Sequence, residues 1–135
     1  MSHALRWTVL VPATATAFVA AGVVGSVLGS VLGVWGEPLI GALAAGVFVA
    51  VPFWIAPSQR RLVATAALAV GAALAWRLVG PPSSYPESYG ELAYQPTYLP
   101  IVATYLAGAV TWTVCALLAR AGARRTKALQ GKVNG

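Results

Sequence analysis

Residues 21–38 read AGVVGSVLGSVLGVWGEP and place glycine at positions 22, 25, 29 and 33 of an otherwise apolar segment. In a soluble helix each glycine costs about 1 kcal/mol relative to alanine. Helices in a bilayer instead associate by close packing at small residues, because lipid tails are as apolar as leucine. The four-residue spacing of Gly25, Gly29 and Gly33 therefore predicts a membrane helix with a smooth packing face, a glycine zipper.

The composition agrees with a membrane protein. Of the 135 residues, 59% are hydrophobic and 9% are charged, compared with about 25% charged residues in soluble domains. No charged side chain occurs from Trp7 to Gly36 or from Pro38 to Gln59, and each run is long enough to cross a bilayer, for which about 20 residues suffice. The sequence predicts an all-α integral membrane protein with one four-helix domain over residues 1–119 and a basic cytoplasmic tail over 120–135. The spans are expected at about 7–34, 38–56, 62–79 and 99–119.

The first apolar run also invites interpretation as a cleaved signal peptide, since Arg6 precedes it. The apolar core of a signal peptide usually has about 7 to 15 residues. Here the run continues without charge to Gly36, which favours a retained helix.

The distribution of charge predicts how the chain is threaded. Lysine and arginine are enriched in cytoplasmic loops. With the N-terminus inside, eight of the nine basic residues fall inside and only Arg77 falls outside, whereas Glu37, Glu87 and Glu91, the three acidic residues, all fall outside. We therefore predict an antiparallel bundle with both termini cytoplasmic, in a membrane such as the bacterial cytoplasmic (inner) membrane.

Small residues recur at helical spacing on the first three predicted helices and indicate close helix packing. Whether the row on the first helix faces its own bundle or a second copy stays open at this level. The predicted packing glycines are Gly25, Gly29, Gly33, Gly41, Gly46 and Gly71.

The connection between the third and fourth helices, GPPSSYPESYGELAYQPTYLP at 80–100, holds five prolines and four tyrosines. A long loop in a small domain is often functional. Pro86 can begin a short interfacial helix that reaches about Tyr94, and Ser88 with Glu91 has the spacing of a capping box. Arg77 is expected to be an interfacial anchor, to pair with a glutamate, or to bind an anion such as a lipid phosphate. The candidate outer-face site for a partner or lipid comprises Arg77, Glu37, Glu87, Glu91, Tyr85, Tyr89 and Tyr94.

No residue pattern points to catalysis, to a cofactor or to a metal site. The one histidine, His3, precedes the first span, and Cys115 is expected to be an apolar packing residue. The chain is similar in size and span count to small multidrug transporters and fluoride channels, but its first span lacks the carboxylate of the former. Its one asparagine, Asn134, lies in the tail and not in a helix as the latter require. Because the tail holds no aromatic residue, nucleic-acid binding is not expected.

These features favour a non-catalytic membrane component: a subunit, assembly factor or scaffold that contacts membrane lipids and binds a partner membrane protein or further copies of itself. The alternative is a small oligomeric pore, holin-like protein or solute carrier. Holin-like proteins resemble this chain in size, span count and basic tail. An ion-coupled carrier is expected to hold a buried charge, and the predicted spans contain none in their interior.

Overall fold

A computed structural model of the chain describes residues 3–79 and 82–133 and consists mainly of four long helices. They are α1 (His3–Leu32), α2 (Gly36–Ile55), α3 (Arg60–Val79) and α4 (Leu99–Val133). Each contains a segment long and apolar enough to cross a membrane, so the chain has the helices of a membrane protein. Helix α1 begins and ends before the predicted limits of 7 and 34. Helix α4 continues without a break through most of the predicted tail.

The turn between α1 and α2 differs from the sequence prediction. Gly33, which we expected on the packing face, has a left-handed φ of 63°, and the Val34 N–H donates to the Gly29 carbonyl at 3.1 Å. This pattern is a Schellman motif, which ends a helix with glycine in the left-handed conformation. Gly36 therefore begins α2 and does not end α1. Glu37 lies in the first turn of α2, where the helix dipole favours negative charge.

Helix α2 is the central helix: it packs against α1, α3 and α4, while α3 and α4 also pack against each other. The buried residues of α1 are Thr14, Ala21, Gly25 and Gly29. Their spacing of seven and then four places them on one stripe of the helix. The rest of α1 is mostly exposed, which is the arrangement expected of a helix surrounded by lipid.

A compact core lies where α2 ends and α3 begins. It contains Val49, Phe53, Ala64 and Cys115, with Trp112 among the side chains packed against it. Cys115 is thus a packing residue, as predicted. This end of the helices, which we call the packed end, is filled by side chains.

Two hydrogen bonds join α4 to α3. The Trp112 indole Nε1–H donates to Thr65 Oγ1 at 2.9 Å, and the Tyr105 hydroxyl donates to the Ala72 carbonyl at 3.2 Å. Such bonds between membrane helices are each worth about 1 kcal/mol. They fix α4 against α3 at two levels.

The connection between α3 and α4 folds as a hairpin over residues 83–97. Its strands β1 (Ser83–Ser84) and β2 (Pro96–Thr97) pair antiparallel, with Ser83 opposite Thr97. Between them lies a 3-10 helix, Glu87–Leu92, interrupted at Gly90 by a φ of 59°. The short helix predicted from Pro86 to about Tyr94 is therefore present as a shorter 3-10 helix. The predicted capping box is wrong, because Ser88 lies inside this helix and Pro86 is its N-cap.

Candidate functional site

An aromatic cluster joins the hairpin to the turn between α1 and α2. The Trp35 ring centroid lies 5.3 Å from that of Tyr85 and 6.0 Å from that of Tyr89, and the two tyrosine rings are 5.4 Å apart. Aromatic pairs attract at centroid distances of about 4.5–7 Å. The cluster therefore holds the hairpin against the helices.

The backbone of Tyr85 closes the hairpin. Its N–H donates to the Gln95 carbonyl at 3.2 Å, and its carbonyl accepts from the Tyr94 N–H at 3.0 Å. Tyr94 has a left-handed φ of 63°, and its side chain is 70% exposed, with Tyr98 nearby in the chain at 57%. Tyr85 and Tyr89 thus contact Trp35, and Tyr94 and Tyr98 are the more exposed pair, although Tyr89 is also 41% exposed.

The charged candidates lie at the surface. Arg77, Glu37, Glu87 and Glu91 are all exposed. The pairing of Arg77 with one of these glutamates stays a prediction. Arg77 lies in the last turn of α3, where a positive charge complements the helix dipole.

A cavity of about 720 Å³ lies at the hairpin end of α2, α3 and α4. This volume falls within the range of about 300–1,000 Å³ that is typical of small-molecule sites. Its α2 wall runs from Glu37 to Val49 along one helix face, which at 1.5 Å per residue corresponds to a length of about 18 Å. The packed end is thus filled by side chains, whereas the hairpin end is hollow.

The cavity wall is apolar apart from a few groups near its mouth. Ser83, Thr104 and Tyr105 contribute hydroxyls, and within residues 3–79 and 82–133 Glu37 is the one charged side chain that lines the cavity. The Thr104 hydroxyl donates to the Pro100 carbonyl at 2.7 Å, and that of Tyr105 donates to Ala72. The carboxylate of Glu37 is therefore the strongest polar feature of the cavity.

The predicted packing glycines lie at helix contacts, except Gly33. A Cβ on Gly25 would come within 2.8 Å of the Ile40 Cα, and one on Gly29 within 2.8 Å of the Gly36 Cα. The row on α1 therefore faces α2 of the same chain, which the sequence left open.

The other packing glycines lie at the contacts of α2 with α3 and α4. Added Cβ atoms on Gly41 and Gly46 would meet the hydroxyls of Thr104 and Thr111 on α4, and one on Gly71 would lie 3.1 Å from the Phe48 ring. Gly41 and Gly71 also line the cavity.

Sequence reasoning missed the cavity. The signal was present in the small residues that face it from three helices, which are Gly41, Ala44, Ala45, Gly71, Ala75 and Gly108. Rows of small residues on a helix predict close packing against a neighbouring helix. The same residues leave a cavity where the neighbouring helix lies further away.

Among the described residues, no three histidine, cysteine, aspartate or glutamate side chains are grouped to hold a metal ion. The site therefore consists of an apolar cavity with one carboxylate and an exposed tyrosine-bearing hairpin. No known protein family, curated protein sequence or solved structure matches this chain.

Proposed function

We propose that the protein is a non-catalytic integral membrane component, a subunit, assembly factor or scaffold, that binds a partner membrane protein through its hairpin. In this proposal the four helices form an antiparallel bundle in a membrane such as the bacterial inner membrane. Both termini are cytoplasmic and the hairpin is outside. The folded hairpin with exposed tyrosines is the observation that carries the proposal.

The orientation is supported by the charges at the two ends of the helices. Arg60, Arg61 and Arg120 are exposed near the packed end, whereas Glu87 and Glu91 are exposed in the hairpin. Because basic residues are retained on the cytoplasmic side, this asymmetry favours the packed end inside.

The hairpin has the properties of a pre-organised binding surface. Trp35 and the backbone bonds of Tyr85 hold its shape, so little conformational entropy is lost when it binds. Tyr94, Tyr98 and Leu92 are exposed on it, and tyrosine supplies a large contact area with few rotatable bonds. With Glu87 and Glu91 also exposed, the surface suits a partner that presents apolar and basic side chains.

Photo-crosslinking in native membranes tests the proposal. A photoreactive amino acid at Tyr94 in the full-length protein is expected to give a defined adduct with a partner. The adduct should be lost when Tyr98 is replaced by serine. The matched control places the photoreactive group at Trp54, which is 61% exposed but lies at the other end of α2. Identical adducts from both positions, or none from Tyr94, would contradict the proposal.

The alternative of an oligomeric pore, holin-like protein or solute carrier has less support. A pore formed by several copies around the first helix would be lined by its small residues, and Gly25 and Gly29 are instead covered by α2. Absence of an adduct at Tyr94 would favour this alternative.

A further inference from the structure

We infer that the cavity at the hairpin end binds one hydrocarbon chain of a membrane lipid whose headgroup carries an ammonium, with that ammonium beside Glu37. This lipid site lies in the cavity and does not include the exposed tyrosines. Binding of a lipid there is independent of binding of a partner by the hairpin.

The length of the cavity matches a hydrocarbon chain of a lipid. Its α2 wall from Glu37 to Val49 corresponds to about 18 Å of helix. The hydrocarbon layer of a bilayer is about 30 Å thick, so one leaflet is about 15 Å deep. A lipid chain from the leaflet at the hairpin end therefore matches the cavity in length. The filled core at Val49 and Phe53 lies below it.

The walls suit hydrocarbon. The floor is formed by buried or half-buried apolar side chains such as Phe48, Val49 and Leu68. An empty cavity of this size would forfeit the dispersion contacts of every group that lines it. In a membrane the surrounding solvent is itself hydrocarbon, so a lipid chain restores those contacts.

The cavity has a route to the membrane. Leu74 and Leu78 line it from α3, and these residues are 47% and 75% exposed, so the cavity is open beside them. A chain therefore can enter sideways past α3 and does not need to leave the bilayer.

The charge of Glu37 indicates which kind of lipid headgroup fits the mouth of the cavity. Among the residues that the structure describes, Glu37 is the only charged side chain that lines the cavity, and it lies in the first turn of α2. Its carboxylate attracts an ammonium and repels an anionic headgroup. A lipid with a primary ammonium is therefore favoured over one with a net negative headgroup.

Native mass spectrometry of the purified, delipidated full-length protein provides the test. The probes are phosphatidylethanolamine and phosphatidylglycerol with the same acyl chains. We expect phosphatidylethanolamine to be retained about fivefold better, the ratio given by one ion pair at an accessible site. Equal retention of both lipids by the parent protein would overturn the headgroup assignment.

Two variants separate the headgroup from the chain. Glu37→Gln is isosteric and exposed, so it preserves the fold, and it should equalise the two lipids. Its matched control, Glu87→Gln in the hairpin, should keep the parent preference. An unchanged preference in Glu37→Gln would overturn the role of that carboxylate.

Ala75→Phe fills the cavity from α3 and should abolish retention of both lipids. Val70→Phe adds the same ring on the same helix at a position that is 53% exposed and does not line the cavity, so it should bind like the parent. If Ala75→Phe unfolds at low temperature and cannot be purified, the comparison of Glu37→Gln with Glu87→Gln still tests whether the lipid binds beside Glu37. Retention by a folded Ala75→Phe protein would place the bound lipid elsewhere.

Discussion

The Cα of Gly36 lies 2.8 Å from the position that a Cβ on Gly29 would occupy. At this point α1 and the first residue of α2 are in contact backbone to backbone. Even the smallest side chain at Gly29 would force the two helices apart. The close approach explains why glycine is used here although it weakens the helix.

Gly29→Ala is expected to destabilise the protein by about 1–3 kcal/mol, because the added carbon overpacks a backbone contact that cannot yield locally. Thermal unfolding in detergent should show a lower midpoint. The matched control is Gly22→Ala, since nothing lies within 4 Å of a Cβ added there. That variant should melt at the parent temperature or above it, because alanine is the better helix former. Equal midpoints for the two variants would contradict the backbone contact.

Trp35→Ala should loosen the hairpin. Each aromatic pair of this kind contributes about 0.5–1.5 kcal/mol, and Trp35 contacts both Tyr85 and Tyr89. We expect faster amide hydrogen exchange at Tyr85 and Tyr94, whose N–H groups close the hairpin. Tyr98→Ala, which removes an exposed ring outside the cluster, is the control and should leave exchange unchanged. Slow exchange in Trp35→Ala would mean that the strand pairing alone holds the hairpin.

Thr65→Val should weaken the contact between α3 and α4. The substitution keeps the side-chain shape and removes the acceptor of the Trp112 indole, for a cost of about 1 kcal/mol. Thr113→Val is the matched control, because the Thr113 hydroxyl bonds only to the Ala109 carbonyl of its own helix. Chemical denaturation in mixed micelles should show a lower free energy of unfolding for Thr65→Val than for Thr113→Val. Equal stability would show that the indole finds another acceptor.

Topology reporters test the orientation. A reporter fused after Asn134 should register as cytoplasmic and one inserted at Ser84 as external, because basic residues are retained inside. Signals from the same side of the membrane would contradict a four-span arrangement, and a reversed pair would contradict the orientation.

The four helices were predictable because their apolar runs are long and nearly free of charge. The helix ends were less predictable. Both Gly33 and Gly36 are reasonable helix terminators by composition, and only the left-handed φ of Gly33 distinguishes them. That conformation depends on the path of the chain into α2, which sequence spacing does not encode.

The candidate site was predictable only in part. The sequence predicted a short helix from Pro86 to about Tyr94, whereas the observed 3-10 helix ends at Leu92. Gly90 interrupts that helix, and Tyr94 lies beyond its end in a left-handed conformation with an exposed side chain. The small residues that face the cavity did not distinguish it from a close helix contact, because a void depends on how far apart two helices lie.

Helix α4 has 35 residues, which corresponds to about 52 Å, far more than the hydrocarbon layer of about 30 Å. Its first turns, from Pro100 to Ala109, form a wall of the cavity, and its far end carries Arg120 and Arg124. Pro100 lies in the first turn and does not kink the helix. Because α4 is continuous, a rigid-body tilt of this helix would move its cavity-lining turns and its basic turns together.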